Sequence, residues 1–124
     1  DCELQAACEA LFDNVANRRM YITGGIGSSH HGERFTQDYD LPNDIAYSET
    51  CASIGLALFA RRMSLIEPDS VYADIAEIAT YNCALARVSL NGKAFFYVNP
   101  LAIRTHLLNR NTSQENTREN LTIT

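Results

Sequence analysis

The 124-residue sequence lacks any excess of positive charge. Ten Lys and Arg stand against 15 Asp and Glu, a formal charge of −5. Nucleic acid is excluded as a default partner, because neutralising phosphates needs clustered cations. No stretch approaches the ~18 consecutive apolar residues that a membrane span requires. No CxxC pair occurs, which removes thioredoxin-type redox sites and zinc knuckles. Cys2, Cys8, Cys51 and Cys83 are too sparse for a secreted disulfide scaffold, and that favours a reducing compartment. Signal-peptide pattern, internal repeats and an inter-domain linker are all missing. There is also no initiator methionine: Asp1 already lies in a helical pattern, and Asn109 to Asn120 is a polar run that offers a core little. The expectation is an internal segment of a larger protein. With 46% hydrophobic and 20% charged residues, the composition is that of a folded chain.

Leu4, Cys8, Leu11, Phe12 and Val15 recur at three- and four-residue steps and predict an amphipathic helix over 2–18. The glycines of Tyr21-Ile-Thr-Gly-Gly-Ile-Gly-Ser-Ser-His-His-Gly-Glu33 cannot continue it. A loop of about 25 residues follows, and structureless loops of that length inside compact domains are usually functional. Ser48 is the expected N-cap of a second helix whose Ile54, Leu58, Met63 and Ile66 face one way until Pro68. Asp69 or Ser70 caps a third, with Val71, Ile75, Ile78, Asn82 and Leu85 on its buried face. Asn91-Gly92 predicts a two-residue hairpin turn before a strand over Ala94–Val98. From His106 onward the chain reads as loop or frayed end. Phe95, Phe96 and Tyr97 in succession place aromatics on both strand faces, which asks for protein on both sides.

The Gly24-Gly25-Ile26-Gly27 cluster lacks the preceding strand and Lys-Ser/Thr ending of a phosphate cradle. It is read instead as backbone that passes close to a ligand or another segment. His30, His31 and Glu33 are either exposed polar loop residues or a shaped loop presenting a general acid. Glu49 and Cys51 form an E-x-C pair. Residues two apart diverge on a regular helix, so the two can share a metal only at an irregular helix start. A carboxylate and a thiolate suit Zn²⁺, which needs two further ligands, and Cys83 is the internal candidate. Two carboxylates, Glu33 and Glu49, beside a Tyr-rich loop also fit glycoside hydrolysis. Tyr21, Tyr39, Tyr47 and Tyr97 either face a sugar or straddle the core boundary.

The segments Tyr21 through Glu33, Tyr39-Asp-Leu-Pro-Asn43, Glu49-Thr-Cys-Ala-Ser-Ile-Gly55 and Phe95-Phe-Tyr-Val-Asn-Pro-Leu101 together resemble glycoside hydrolase family 127, bacterial β-L-arabinofuranosidases. The resemblance spans roughly residues 4–101. It implies a mainly all-α fold, with 1–108 a segment of an (α/α)6 barrel bearing one short β-hairpin and 109–124 a polar tail. It also implies Glu33 as general acid/base, Glu49 and Cys51 as two of four zinc ligands, and Tyr97 as a contact to the sugar. The implied nucleophile is a zinc-bound cysteine, one of two adjacent cysteines, and this sequence contains no Cys-Cys pair.

The expected parent is therefore a retaining, zinc-dependent cytoplasmic hydrolase acting on L-arabinofuranosyl oligosaccharides or glycoconjugates. The segment alone is expected to be inactive, to hold no zinc with two ligands absent, and to self-associate through its apolar faces. The rival readings are a non-catalytic helical self-association module and a related sugar hydrolase of the same barrel.

Overall fold

The computed structural model describes residues 2–102 and the backbone of 121–123. Three helices make up about half of it. Helix α1, Cys2–Asn14, widens into π-helical hydrogen bonding over Val15–Arg19; α2 is Thr50–Ile66; α3, Ser70–Ile78, widens likewise over Ala79–Leu85. All three lie where the apolar periodicity predicts them. Pro68 separates α2 from α3, and the Asp69 side chain caps α3 by accepting from the Val71 amide at 2.9 Å.

The core lies between α2 and α3 and is closed by α1. Leu56, Ala60 and Met63 of α2 meet Tyr72, Ile75 and Ala79. Phe12 fills the gap edge-on to Phe59 and Tyr72, at centroid distances of 5.3 and 4.9 Å. The buried faces differ from those expected. On α2, Met63 is buried at 1% exposure, but Ile54, Leu58 and Ile66 stand out at 46%, 62% and 49%. The inner face is Ser53, Leu56, Ala60 and Met63, whose small members let α3 approach closely. On α3, Ile75 is buried as expected, with Tyr72, Ala79 and Cys83 in place of Val71 and Leu85. On α1, Phe12 goes inward while Leu4 and Leu11 remain exposed.

The long loop between α1 and α2 is tied down at several points. Arg18 and Arg19 both pair with Asp38, at 3.0 and 2.6 Å, and Arg19 also donates to the Thr36 carbonyl. Gly24, at φ +83°, runs against α3 so closely that a Cβ would sit 2.9 Å from the Ala79 amide nitrogen. The glycine cluster thus serves contact with another segment.

Beyond α3 the chain turns back over Ser89–Ala94, with the Ser89 amide donating to the Ala94 carbonyl at 2.8 Å. The reversal spans four residues, 90–93, not the expected two. Strand β1 is Ala94–Phe96, shorter than predicted, because α2 takes its next carbonyls. The Thr50 amide donates to the Tyr97 carbonyl at 2.9 Å, and the Thr50 hydroxyl to that of Phe96 at 2.5 Å. Strand β2, Leu121–Ile123, pairs antiparallel with β1 in the register Ala94–Ile123 and Phe96–Leu121. This corrects the expected loop at 121–123, where Leu-Thr-Ile is a β-favouring triplet. The rest of the predicted polar tail lies outside the described residues.

Candidate functional site

Glu33 stands at the tip of the long loop. Gly32 and Glu33 both have positive φ, +74° and +46°, so the chain reverses there and Ser29 bridges Arg34. The side chain is exposed and accepts a hydrogen bond at Oε1 from the Tyr47 hydroxyl, 3.1 Å away.

Glu49 and Cys51 do converge. Ser48 is not the cap of α2: its φ is +38° and it is fully buried. The Arg87 guanidinium, itself buried, donates to the Ser48 carbonyl at 2.8 Å and to its Oγ at 3.1 Å. A side chain at Gly25 would collide with Ser48, its Cβ lying 2.0 Å from Oγ. The turn held in this way leaves Glu49 in extended conformation at the Ncap position and Cys51 in the first turn of α2. The irregular start overcomes the divergence of an i, i+2 pair, and the Cys51 thiol donates to Glu49 Oε1 at 2.6 Å. Glu49 Oε2 is buried and has no partner among the described residues. Burial, and then the Glu49 carboxylate beside it, push the Cys51 thiol above its ordinary pKa.

Tyr97 closes the cluster. Its hydroxyl lies 3.7 Å from the Cys51 sulfur, and its ring meets that of Tyr47 edge to face at 6.3 Å. Hydrogen bonding to Cys51, and then to Glu49, raises the Tyr97 phenol pKa. Burial first, and the Glu33 hydrogen bond second, push that of Tyr47 up to about 12. His30, Tyr47, Tyr97 and Val98 line an open cavity of about 340 Å³. The chain of contacts therefore runs Glu33, Tyr47, Tyr97, Cys51, Glu49 along one wall.

Three candidates fall outside it. Tyr21 is buried and donates to the Pro42 carbonyl at 3.1 Å. Tyr39 is exposed, and its amide donates to the Arg18 carbonyl. Cys83 is buried, with its thiol directed at the Thr23 carbonyl 2.8 Å away, so it does not extend the Glu49–Cys51 pair. No group of three metal-ligating side chains occurs among the described residues. In the sequence Tyr47 is only one of four tyrosines that either face a sugar or straddle the core boundary. Its partnership with Glu33 joins two loop positions, and no periodicity marks such a pair.

Comparison with known proteins decides the family. The family model described as beta-L-arabinofuranosidase, GH127 catalytic domain, matches residues 1–120. The chain belongs to glycoside hydrolase family 127. It is 53% identical over 91 residues to the non-reducing end beta-L-arabinofuranosidase of Bifidobacterium longum subsp. longum, a match covering 73% of this chain and 14% of that one. Among solved GH127 structures, the beta-L-arabinofuranosidase of Geobacillus stearothermophilus T6 superposes with a TM-score of 0.85 at 52% identity. That match covers 92% of this chain and 18% of the other. A second GH127 beta-arabinofuranosidase gives a TM-score of 0.70 at 48% identity, over 73% and 14% of the two chains. The chain thus spans less than a fifth of the length of these GH127 relatives. No helix among the described residues is long and apolar enough to cross a membrane.

Proposed function

We propose that this chain is part of a retaining β-L-arabinofuranosidase, and that it contributes one wall of the active site on a segment of an (α/α)6 barrel. The observation that carries the reading is the convergence of Glu33, Tyr97, Cys51 and Glu49, from two loops and the start of α2, on one continuous surface. The substrates are L-arabinofuranosyl oligosaccharides or glycoconjugates.

Glu33 is the general acid/base. Exposed and hydrogen-bonded to cavity-lining Tyr47, it protonates the glycosidic oxygen as the bond to the sugar breaks, then takes a proton from the water that releases the product. Tyr97 presents its ring and hydroxyl to the furanose. The nucleophile is a cysteine outside these 124 residues.

Glu49 and Cys51 fit a zinc site. They offer a carboxylate and a thiol already in contact, and one carboxylate oxygen is buried without a partner. Two further ligands come from outside the chain, and zinc bound there would lower thiol pKa values and fix thiolates in place. Glu49 thus serves as a ligand, and Glu33 is the carboxyl that handles protons.

The test is kcat/KM of the full-length protein on a nitrophenyl β-L-arabinofuranoside. Glu33→Gln is expected to lower it by about 10²–10⁴-fold, the usual contribution of general acid–base catalysis. Wild-type activity in that variant would sink the assignment. The isolated 124-residue chain is expected to show no turnover.

A second reading concerns the isolated chain. Leu4, Leu11, Leu58 and Leu65 are all more than 60% exposed, a density of outward apolar side chains that favours self-association. Light scattering from the isolated chain is expected to report an oligomer, and a stable monomer would contradict it.

A further inference from the structure

The carboxyl assigned to proton transfer sits on weakly fixed backbone. The Ser29–Arg34 bridge that closes its turn has two hydrogen bonds of 3.3 Å, and the Glu33 amide reaches the His30 carbonyl at 3.4 Å. These lie at or beyond the long end of good geometry. A general acid must nevertheless be held near its target, because misplacement by about 1 Å can cost on the order of 10²-fold.

Tyr47 supplies a firmer hold. Its ring lies against Tyr97, and its carbonyl accepts from the Asn99 amide at 3.2 Å. The next residue, Ser48, is fully buried, and its amide donates to the Gly27 carbonyl at 2.7 Å. The Tyr47 hydroxyl therefore projects from anchored backbone to Glu33 Oε1, and it lines the same cavity as Tyr97.

We propose that Tyr47 is a positioning residue for Glu33: its hydroxyl fixes Oε1, which leaves Oε2 as the oxygen that gives and takes the proton. The proposal rests on the assignment of Glu33 as acid/base. In the first step the Oε2 proton passes to the glycosidic oxygen. The bond from that oxygen to the anomeric carbon breaks, with its electron pair going to the leaving group, and the nucleophile bonds to the same carbon. In the second step water gives a proton to Oε2 and bonds to the anomeric carbon, and the nucleophile departs with its electron pair. A hydrogen bond to a carboxylate is stronger than one to a neutral carboxyl. The Tyr47 contact therefore tightens as the first step proceeds and favours proton delivery.

The experiment measures kcat/KM of the full-length wild type, Tyr47→Phe and Glu33→Gln on two β-L-arabinofuranosides. One has a poor leaving group, a sugar alcohol oxygen; the other has dinitrophenolate, which departs with little need of a proton. For Tyr47→Phe the loss on the poor leaving group is expected to exceed that on the dinitrophenyl glycoside by about tenfold or more. This ratio within one variant does not depend on how much of the protein is folded. Equal losses on both substrates, or no loss on either, would overturn the proposal. If Glu33→Gln also fails to discriminate between the substrates, the acid/base assignment itself is wrong and the proposal falls with it. If Glu33→Gln discriminates and Tyr47→Phe does not, only the proposal falls.

Discussion

Glu49 uses one carboxylate oxygen to accept from Cys51 and leaves the other buried without a partner. An unsatisfied buried acceptor costs about 1–3 kcal/mol, and a bound cation would remove that cost. Glu49→Ala or Cys51→Ala in the full-length protein is therefore expected to weaken zinc retention, in chelator competition, by more than the roughly 10–100-fold typical of groups behind a ligand. Unchanged retention would remove both residues from the metal site. Asp38 is a second sensitive position. Its hydrogen bond to Arg18, with help from Asn14 and Arg19, outweighs its partial burial and holds its carboxyl below the ordinary carboxylate range. A carboxyl with a lowered folded-state pKa stabilises the fold above its unfolded pKa, near 4, and that stability is lost as pH falls through the folded value. The melting temperature is expected to drop on acidification below pH ~4, and less steeply in Asp38→Asn.

The positions of the three helices were legible from apolar spacing, but the choice of face was not. Helix α2 is apolar almost all round, so 3.6-residue periodicity selects two stripes equally well. The inner stripe contains Ser53 and Ala60, which score poorly as hydrophobes but allow α3 to come close. Ile54 and Leu58, expected on the inner face, point outward. Leu58→Gln is accordingly expected to reduce self-association of the isolated chain in light scattering and leave its helical circular dichroism intact. Phe12→Ala is the opposite case. Phe12 is buried, with two edge-on aromatic partners, and its truncation is expected to cost about 3–5 kcal/mol, read as a fall in melting temperature. The expectation of a two-residue turn at Asn91-Gly92 failed because Ser89, two positions earlier, closes the reversal through its backbone and Oγ. Side-chain hydrogen bonds of that kind leave no trace in a hydropathy pattern.

On the scale of the whole molecule, the candidate site is assembled from residues as far apart in sequence as Glu33 and Tyr97. In the sequence Glu49 and Cys51 stand out as an E-x-C pair, Glu33 as a loop carboxyl and Tyr97 as one of four candidate tyrosines, and only the family resemblance attaches a role to each. What the sequence did not disclose is how they are joined: a left-handed Ser48 pinned by buried Arg87, and two tyrosines linking Glu33 to Cys51. Outward-facing apolar side chains on all three helices are consistent with a segment that packs against more protein. In the proposed enzyme this wall faces bound sugar. That placement is tested most directly by a crystal structure of the full-length protein soaked with L-arabinose. The expected result is sugar in the cavity lined by Tyr47 and Tyr97, with its anomeric oxygen within hydrogen-bond reach of Glu33. Sugar bound elsewhere, with Glu33 and Tyr97 touching none of it, would take this wall out of the active site.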